Sequence, residues 1–360
     1  MEESRRICLI SFSQNADHQN VIYSMFLALQ GRADVWTIGA DHPKSAIAPR
    51  SPRNIYVRCP DRPGFGRGTL RIGTLKKLAG IIRKRRIRYL YFESLHLWNI
   101  LLMRMCPGCV RIEAIHDVIP HDGSRLVTLC TRAACAAADC VALRSRRFQK
   151  ALAEKYGVSP EKITYLEPWR HFGGKKPLTH SGEFLYFGRI RKYKGLDCLE
   201  RIIRRTPSVR YRIVGEPDRE SLPVVDRLRG CPNVKVTARE VSDREMEECF
   251  RRADWLVLPY TTATQSGVIA DACRMSRPVI AFAVGAVEEQ VKNGETGFLI
   301  PAGDEDGFVR AVERAAAMTH READAFSEQA YVFGCSRYAA VAAAGSFLEM
   351  LRRAGERKGI

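Results

Sequence analysis

What most constrains this chain is the recurrence of short β-rich runs separated by segments with helical periodicity. In the second half the runs are Phe184–Phe187, Tyr211–Val214, Val234–Val236, Trp255–Leu258, Pro278–Ala281 and Gly297–Ile300, with helical spacing between them, as at Asp243–Arg252. The first half repeats the rhythm at Ile7–Ile10, Val35–Ile38, Ile55–Val57, Tyr89–Phe92, Val110–Ile115, Cys140–Leu143 and Ile163–Leu166. Strands alternating with helices build parallel βαβ units, because a parallel neighbour is reached only through a crossover. A chain of 360 residues is too long for one ordinary core. The expectation is α/β: two Rossmann-like doubly wound domains facing across a ligand cleft at the carboxyl ends of their strands. They span residues 1–168 and 169–335, linked through the Gly-, Pro- and Lys-rich stretch Leu166–Gly182. The helical pattern Ser336–Gly359, within 336–360, has no later strand to feed and is expected to pack back on the first domain.

Lys and Arg number 58 against 40 Asp and Glu, a net charge of +18. Such an excess predicts an acidic partner: nucleic acid, anionic lipid or a phosphorylated small molecule. No apolar run reaches the ~18 residues needed to span a bilayer; Tyr89–Met103 is broken by Glu93 and His96. The opening MEESRRICLISFSQ is too short in apolar residues for a signal peptide and reads as a first strand, so a cytoplasmic protein is expected. The twelve cysteines lie at irregular spacings, as reduced core residues do. Cys106-Pro-Gly-Cys109 has the spacing of half a zinc site or a redox pair, but nothing nearby completes it, and it also reads as a turn before the next strand.

Chemistry concentrates in two stretches. In FGRIRKYKGL, Phe187–Leu196, four cations sit between two glycines just after a strand. Gly188 can bend there, and Arg189 and Lys194 fall on a loop and first turn from which they can converge on a diphosphate. Arg191 and Lys192 are expected to face solvent, and by itself the cluster also fits a basic surface loop. In PYTTATQSGVIADACRMSRPVIAFAVG, Pro259–Gly285, a strand end is followed by a polar loop and a helix that begins near Ser266–Gly267. The helix's free N–H groups suit an anion, and Asp271 lies one turn in, where it can accept from a sugar or ribose hydroxyl.

Together these stretches resemble the retaining family-4 glycosyltransferases of the GT-B fold, the glycosyl transferases group 1. GRIRKYKGL is similar to that family's diphosphate loop, and YRIVGE and ADWLVLPY to its middle strands. GAVEEQVKNGETGFLIPAGD and, in the first half, IHDVIPH and ADCVALRSRRFQKALAEKYGVSPEKITYLEP are similar to its passages in the same order. The likeness covers most of residues 105–310 and is weaker over 1–100.

The resemblance implies a retaining, metal-independent transfer from a nucleotide-diphosphate sugar to an acceptor hydroxyl, with no cofactor. Arg189 and Lys194 match the diphosphate-binding pair, and His116 the histidine of the reaction centre. Gly188, Gln265, Ser266, Gly267 and Val268 complete the donor site, and Asp271 stands where the family has the second Glu of its paired-glutamate motif. The first Glu falls at Ala263, a departure that leaves Gln265 as the candidate sugar contact. Asp117 and His121 face the acceptor. The implied donor is a UDP- or GDP-sugar. The implied acceptor is a saccharide or polyprenyl-linked saccharide of surface-polysaccharide synthesis, at the inner face of the plasma membrane.

Asp304–Asp306 (DED) reads as acidic residues opening a helix rather than a metal site. Gly64–Gly68 lacks the third glycine of a dinucleotide fingerprint and reads as a loop. Leu75–Leu90 reads as a helix with a basic face that either meets solvent or touches anionic lipid. Two other functions remain open: a sugar-nucleotide epimerase of the same fold, and a basic nucleic-acid-binding protein. The second lacks any recognisable binding module, so no specific nucleic acid is expected.

Overall fold

The computed structural model describes residues 5–41, 49–66, 68–116, 118, 125–263 and 266–360. The chain divides into two compact units, Met1–His171 with Tyr338–Ile360, and Phe172–Arg337. The boundaries fall a few residues beyond those expected from the sequence.

The first unit carries strands β1 (Arg6–Ser11), β2 (Asp34–Ala40), β3 (Asn54–Val57), β4 (Tyr89–Phe92), β5 (Val110–Ile115), β6 (Cys140–Leu143) and β7 (Ile163–Tyr165). Their order is β3-β2-β1-β4-β5-β6-β7, and every pair is parallel. Helices α1 (Ala16–Ala28), α2 (Ile72–Lys84), α3 (Leu97–Met105), α4 (Arg125–Ala137) and α5 (Gln149–Tyr156) supply the crossovers. The second unit orders β8 (Glu183–Phe187), β9 (Arg210–Val214), β10 (Val234–Thr237), β11 (Trp255–Leu258), β12 (Val279–Ala283) and β13 (Gly297–Pro301) as β10-β9-β8-β11-β12-β13, again all parallel. Its helices are α6 (Leu196–Arg205), α7 (Leu222–Arg229), α8 (Asp243–Arg252), α9 (Gly267–Arg274), α10 (Val287–Gln290) and α11 (Glu305–Ala316). The chain then runs through α12 (His320–Tyr338) and α13 (Ala340–Lys358).

Both faces of the first sheet are covered, which is why its strands read as continuous apolar runs rather than alternating ones. On β1, Cys8 and Ile10 enter one core with Leu75, Phe92 and Trp98, while Ile7 and Leu9 enter the other with Tyr91, Trp169 and Phe347. The second core is closed by α13, whose Ala340, Ala344, Phe347, Leu351 and Ala354 recur at helical spacing and are buried. Trp169 is fully buried and donates from Nε1 to the Val21 carbonyl at 2.8 Å.

The structure corrects two helix spans. The tail is not one helix from Ser336: α12 runs to Tyr338, and Ala339 is extended and bridges to Arg170 before α13 begins. The backbone groups used in that bridge cannot also continue a helix. Leu75–Leu90 is not one helix either: α2 stops at Lys84, Arg86 takes φ +51°, and Tyr89 already belongs to β4. Ile87 and Leu90 keep a helical spacing only because the following strand is apolar too. Among the described residues no helix is long and apolar enough to cross a membrane.

Phe347 packs edge-on against Tyr91 and Trp169, with ring centroids 5.1 and 5.7 Å away. Truncation there leaves a cavity in a closed core, so Phe347→Ala is expected to lower unfolding free energy by about 3–5 kcal/mol. Denaturant titration at unchanged m-value reads this; a loss below about 1 kcal/mol contradicts the packing role given to α13.

Candidate functional site

In the second unit the chain leaves β8 at Gly188, which takes φ +116°. A Cβ built there lies 3.1 Å from Lys194 Nζ and 3.5 Å from Val268 Cγ2. Glycine therefore leaves room for the Lys194 ammonium over the backbone, beside the first turn of α9. Gly195 follows at φ +71°, where any Cβ lies 1.8 Å from the Pro259 carbonyl oxygen. Thr261 N donates to the Tyr193 carbonyl at 2.8 Å. The loops after β8 and β11 are thus locked together, and that places Lys194.

Lys194 is half-buried, and its Nζ sits 5.2 Å from the centre of the Tyr260 ring. Burial pulls its pKa below the ordinary lysine value; the charges of Arg189 and Arg191 add to this and Tyr193 opposes it. Arg189 is exposed beside Gly188. Among the described residues neither Arg189 nor Lys194 has a carboxylate partner within ion-pair distance. Arg191, expected in solvent, is instead held: its Nη1 donates to the Ile190 and Glu216 carbonyls at 2.8 and 3.2 Å, and its Nε lies 3.6 Å from Asp218. Those carbonyls flank the loop, so Arg191 splints it. Lys192 is exposed.

Ser266 precedes α9, and Gln290 grips its backbone from both sides: Ser266 N donates to Gln290 Oε1 at 2.9 Å and Gln290 Nε2 donates to Ser266 O at 3.0 Å. Ser266 Oγ and Tyr260 OH are buried without a hydrogen bond of ordinary geometry among the described residues. The two hydroxyls lie close enough to interact with each other. Ala263, where the sequence resemblance put the first Glu of the paired motif, is buried, and its carbonyl packs against Gly285, where an added Cβ lies 1.7 Å away. Asp271 is buried one turn into α9, and its Oδ1 accepts from Arg274 Nε at 3.1 Å. Arg274 also pairs with Glu247 on α8 at 2.9 Å. The Gly188, Lys194 and Val268 side of the site is assembled, then, and Asp271 is tied to its own helix and to α8. Gln265 lies outside the described residues. At the DED stretch, Asp304 caps α11 through Gly307 N, Glu305 pairs with Arg201 and Asp306 with Arg205.

In the first unit His116 follows β5 directly. Its Nε2 donates to the Glu93 carbonyl at 2.6 Å, and the Glu93 Oε1 lies 3.0 Å from the same nitrogen. Both neighbours are acceptors, so the proton is on Nε2. Glu93 ends a buried chain of polar groups: Arg144 Nη2 donates to its Oε2 at 2.6 Å, as does Tyr91 OH at 2.6 Å. Arg144 also sits 4.2 Å from the Trp169 ring centre and donates to the Glu167 carbonyl. Burial raises the Glu93 pKa, but Arg144 and His116 outweigh it and leave the carboxyl at about 2. The neighbouring Glu113 has no cationic partner among the described residues. Burial lifts it well above the carboxylate range although Asn99 Nδ2 donates to both its oxygens at 3.0 Å. Asp117 and His121 lie outside the described residues. Sequence reasoning missed Glu93, Glu113 and Arg144 as a network. The available signal was a charge inside each of three apolar strand runs, YLYFE, VRIEAI and CVALR. At the CPGC turn, Cys109 N donates to the Cys106 carbonyl just before β5, and among the described residues no group of three or more His, Cys, Asp or Glu is placed to hold a metal.

Residues 181–317 match the family described as Glycosyl transferases group 1. They are a glycosyl transferases group 1 domain. A D-inositol 3-phosphate glycosyltransferase of Corynebacterium aurimucosum is 25% identical over 247 residues, 61% of this chain and 58% of that one. A glycogen synthase of Mycobacterium tuberculosis is 28% identical over 147 residues, 39% of this chain and 35% of that one. The chain thus spans less than two thirds of the length of these curated relatives. Among solved structures, Anabaena HepE in complex with UDP superposes with a TM-score of 0.72 at 14% identity, over 96% of this chain and 99% of that one. The sucrose-phosphate synthase of Thermosynechococcus elongatus does so with 0.72 at 15%, over 98% and 100%. The fold is GT-B, as the sequence resemblance implied.

The neutral Glu113 yields a pH test. Its folded pKa is raised, so its contribution to stability is complete below about pH 4.5 and is lost as pH rises above that. Gln does not titrate. The Tm of Glu113→Gln relative to the parent is therefore expected to rise by a few degrees from pH 4 to pH 8. A difference that stays flat across that range contradicts a neutral Glu113.

Proposed function

We propose that the chain is a retaining glycosyltransferase that moves a sugar from a nucleotide diphosphate to an acceptor hydroxyl without a metal ion. The observation that carries the reading is the Lys194 ammonium lodged over Gly188, which Val268 also approaches, with exposed Arg189 next in sequence and no carboxylate paired to either cation among the described residues. A half-buried ammonium next to two guanidinium groups is uncomfortable by itself and well suited to a diphosphate. As the bond from the sugar to the diphosphate breaks, negative charge grows on the leaving group. Arg189, Lys194 and the opening N–H groups of α9 are fixed donors for it.

Ser266 Oγ, buried beside the Tyr260 hydroxyl, is a further donor for the donor substrate, with Gln290 holding its backbone in place. Gln265 takes the sugar contact. Asp271 accepts from a ribose hydroxyl while Arg274 holds its Oδ1, because a carboxylate has further acceptor sites. His116 serves the reaction centre with Glu93 as its positioning residue, and Asp117 and His121 serve the acceptor.

HepE has been solved with UDP and with UDP-glucose, which favours a UDP-sugar over a GDP-sugar here. The acceptor is a saccharide, lipid-linked and used in surface-polysaccharide assembly at the cytoplasmic face of the membrane. The net charge of +18 suits such a phosphate-bearing partner at an anionic surface.

Removing one preorganised donor from such a site costs about 3–4 kcal/mol of transition-state stabilisation. Arg189→Ala is therefore expected to lower turnover by about 10²–10³. The readout is nucleoside diphosphate released from radiolabelled UDP-sugar, with and without acceptor. Release that needs acceptor supports transfer; interconversion of the sugar without acceptor points to an epimerase. Normal turnover by Arg189→Ala removes the proposal.

A further inference from the structure

At the amino ends of β1 and β4, away from His116 at the carboxyl end of the same sheet, the first unit has a cavity of about 800 Å³. Its walls come from segments far apart in sequence: Arg5 and Arg6 where β1 begins, Arg83 in the last turn of α2, Arg86 and Arg88 in the turn into β4, and Arg104 at the end of α3. The two stretches that the proposed reaction does not use, the basic segment Leu75–Leu90 and the CPGC turn, meet here.

The turn explains the convergence. Arg86 takes φ +51°, rare for a residue with a side chain, and so reverses the chain within the four residues between α2 and β4. Arg83 and Arg86 thereby line one cavity with Arg104, which the sequence separates from them by a strand and a helix.

Arg83, Arg86 and Arg104 are exposed, and among the described residues none has an ion pair or a side-chain hydrogen bond. Arginines elsewhere on the surface are commonly paired, as Arg201 is with Glu305 and Arg353 with Glu349. Guanidinium groups that share a concavity repel one another unless an anion lies among them. Their planar forks match phosphate oxygens. The lining is not purely polar, however. Half-buried Met105 and exposed Pro107 contribute apolar surface to the same cavity, which a free inorganic phosphate would leave in contact with water and a lipid would cover.

We propose that this cavity binds the phosphate headgroup of an anionic lipid, with Arg83, Arg86 and Arg104 on the phosphate and Met105 and Pro107 against the first carbons of the chain. The site is separate from the groups proposed for sugar transfer, so its test reads binding and not turnover.

The experiment is co-sedimentation of the full chain with phosphatidylglycerol–phosphatidylcholine vesicles at ~0.1 M salt. Each near-surface cation contributes about fivefold to such binding, so Arg83→Gln/Arg86→Gln/Arg104→Gln is expected to weaken it by about a hundredfold. A control, Arg219→Gln/Lys235→Gln/Arg321→Gln, removes the same charge from exposed positions of the other unit and is expected to stay within about threefold of the parent. Circular dichroism and Tm establish that both variants are folded. Equal binding by the cavity variant and the parent overturns the proposal, as does an equal loss in the control, which would make the effect one of net charge. Titration with inorganic pyrophosphate separates the sources: calorimetric binding that the cavity variant loses, without any vesicle binding by the parent, overturns the lipid assignment.

Discussion

A parallel sheet whose chain order reverses beside its first strand leaves two neighbouring loops diverging to opposite faces, and both units of this protein are built around such a reversal. In the second unit the chain goes from β8 out to β9 and β10, then returns to β11 on the other side of β8. The reversal therefore falls between the loop that carries Gly188 and Lys194 and the loop that carries Pro259 and Thr261. The close contact of Gly195 with the Pro259 carbonyl is what holds those loops at one distance. In the first unit the reversal falls between β1 and β4, and Ser11 at the end of one strand lies 3.1 Å from Ser94 just beyond the other, oxygen to oxygen. Glu93 stands at the same edge, one strand from His116. Position within the sheet thus decides where the reactive groups gather, before any of their chemistry is considered.

The buried Glu93–Arg144 pair illustrates a cost that a sheet of this kind accepts. Taking two charges out of water is expensive, and such pairs often add little net stability. Here the carboxylate is also bonded by Tyr91 and faces His116, while the guanidinium lies on Trp169. The network fixes the orientation of a histidine ring rather than contributing tightness to the core. Glu113, one strand over and without a cationic partner among the described residues, stays neutral instead, because a second charge in the same dry space has nothing to balance it. Two carboxyl groups of similar burial are held in opposite states by the presence or absence of partners such as Arg144 and His116.

How much of this was legible in the sequence follows from the range of each interaction. Strands buried on both faces print themselves as apolar runs, and all the runs identified lie on observed strands, with Tyr89–Phe92, Val110–Ile115, Cys140–Leu143 and Trp255–Leu258 matched end to end. The glycine-flanked basic loop was legible for the same reason: its residues are close in sequence. Helix ends were less so. The stop of α2 depends on a left-handed Arg86, and the break at Ala339 on a bridge to Arg170 far upstream. Arg191 was misplaced because the carbonyls that hold it include one from Glu216, across a crossover. The Glu93–Arg144 contact joins residues 51 apart in the chain, and nothing in local spacing announces it beyond a charge in an apolar strand.

The central claim is that the Arg189–Lys194 pair holds a diphosphate, and calorimetric titration of UDP against uridine addresses it most directly. Two charge-assisted contacts at ~1.5–3 kcal/mol each predict that UDP binds at least about a hundredfold more tightly than uridine. They also predict that the gap shrinks below about tenfold in Arg189→Ala/Lys194→Ala. If the gap is as wide in the double variant as in the parent, the diphosphate is held elsewhere and the account of the site is wrong.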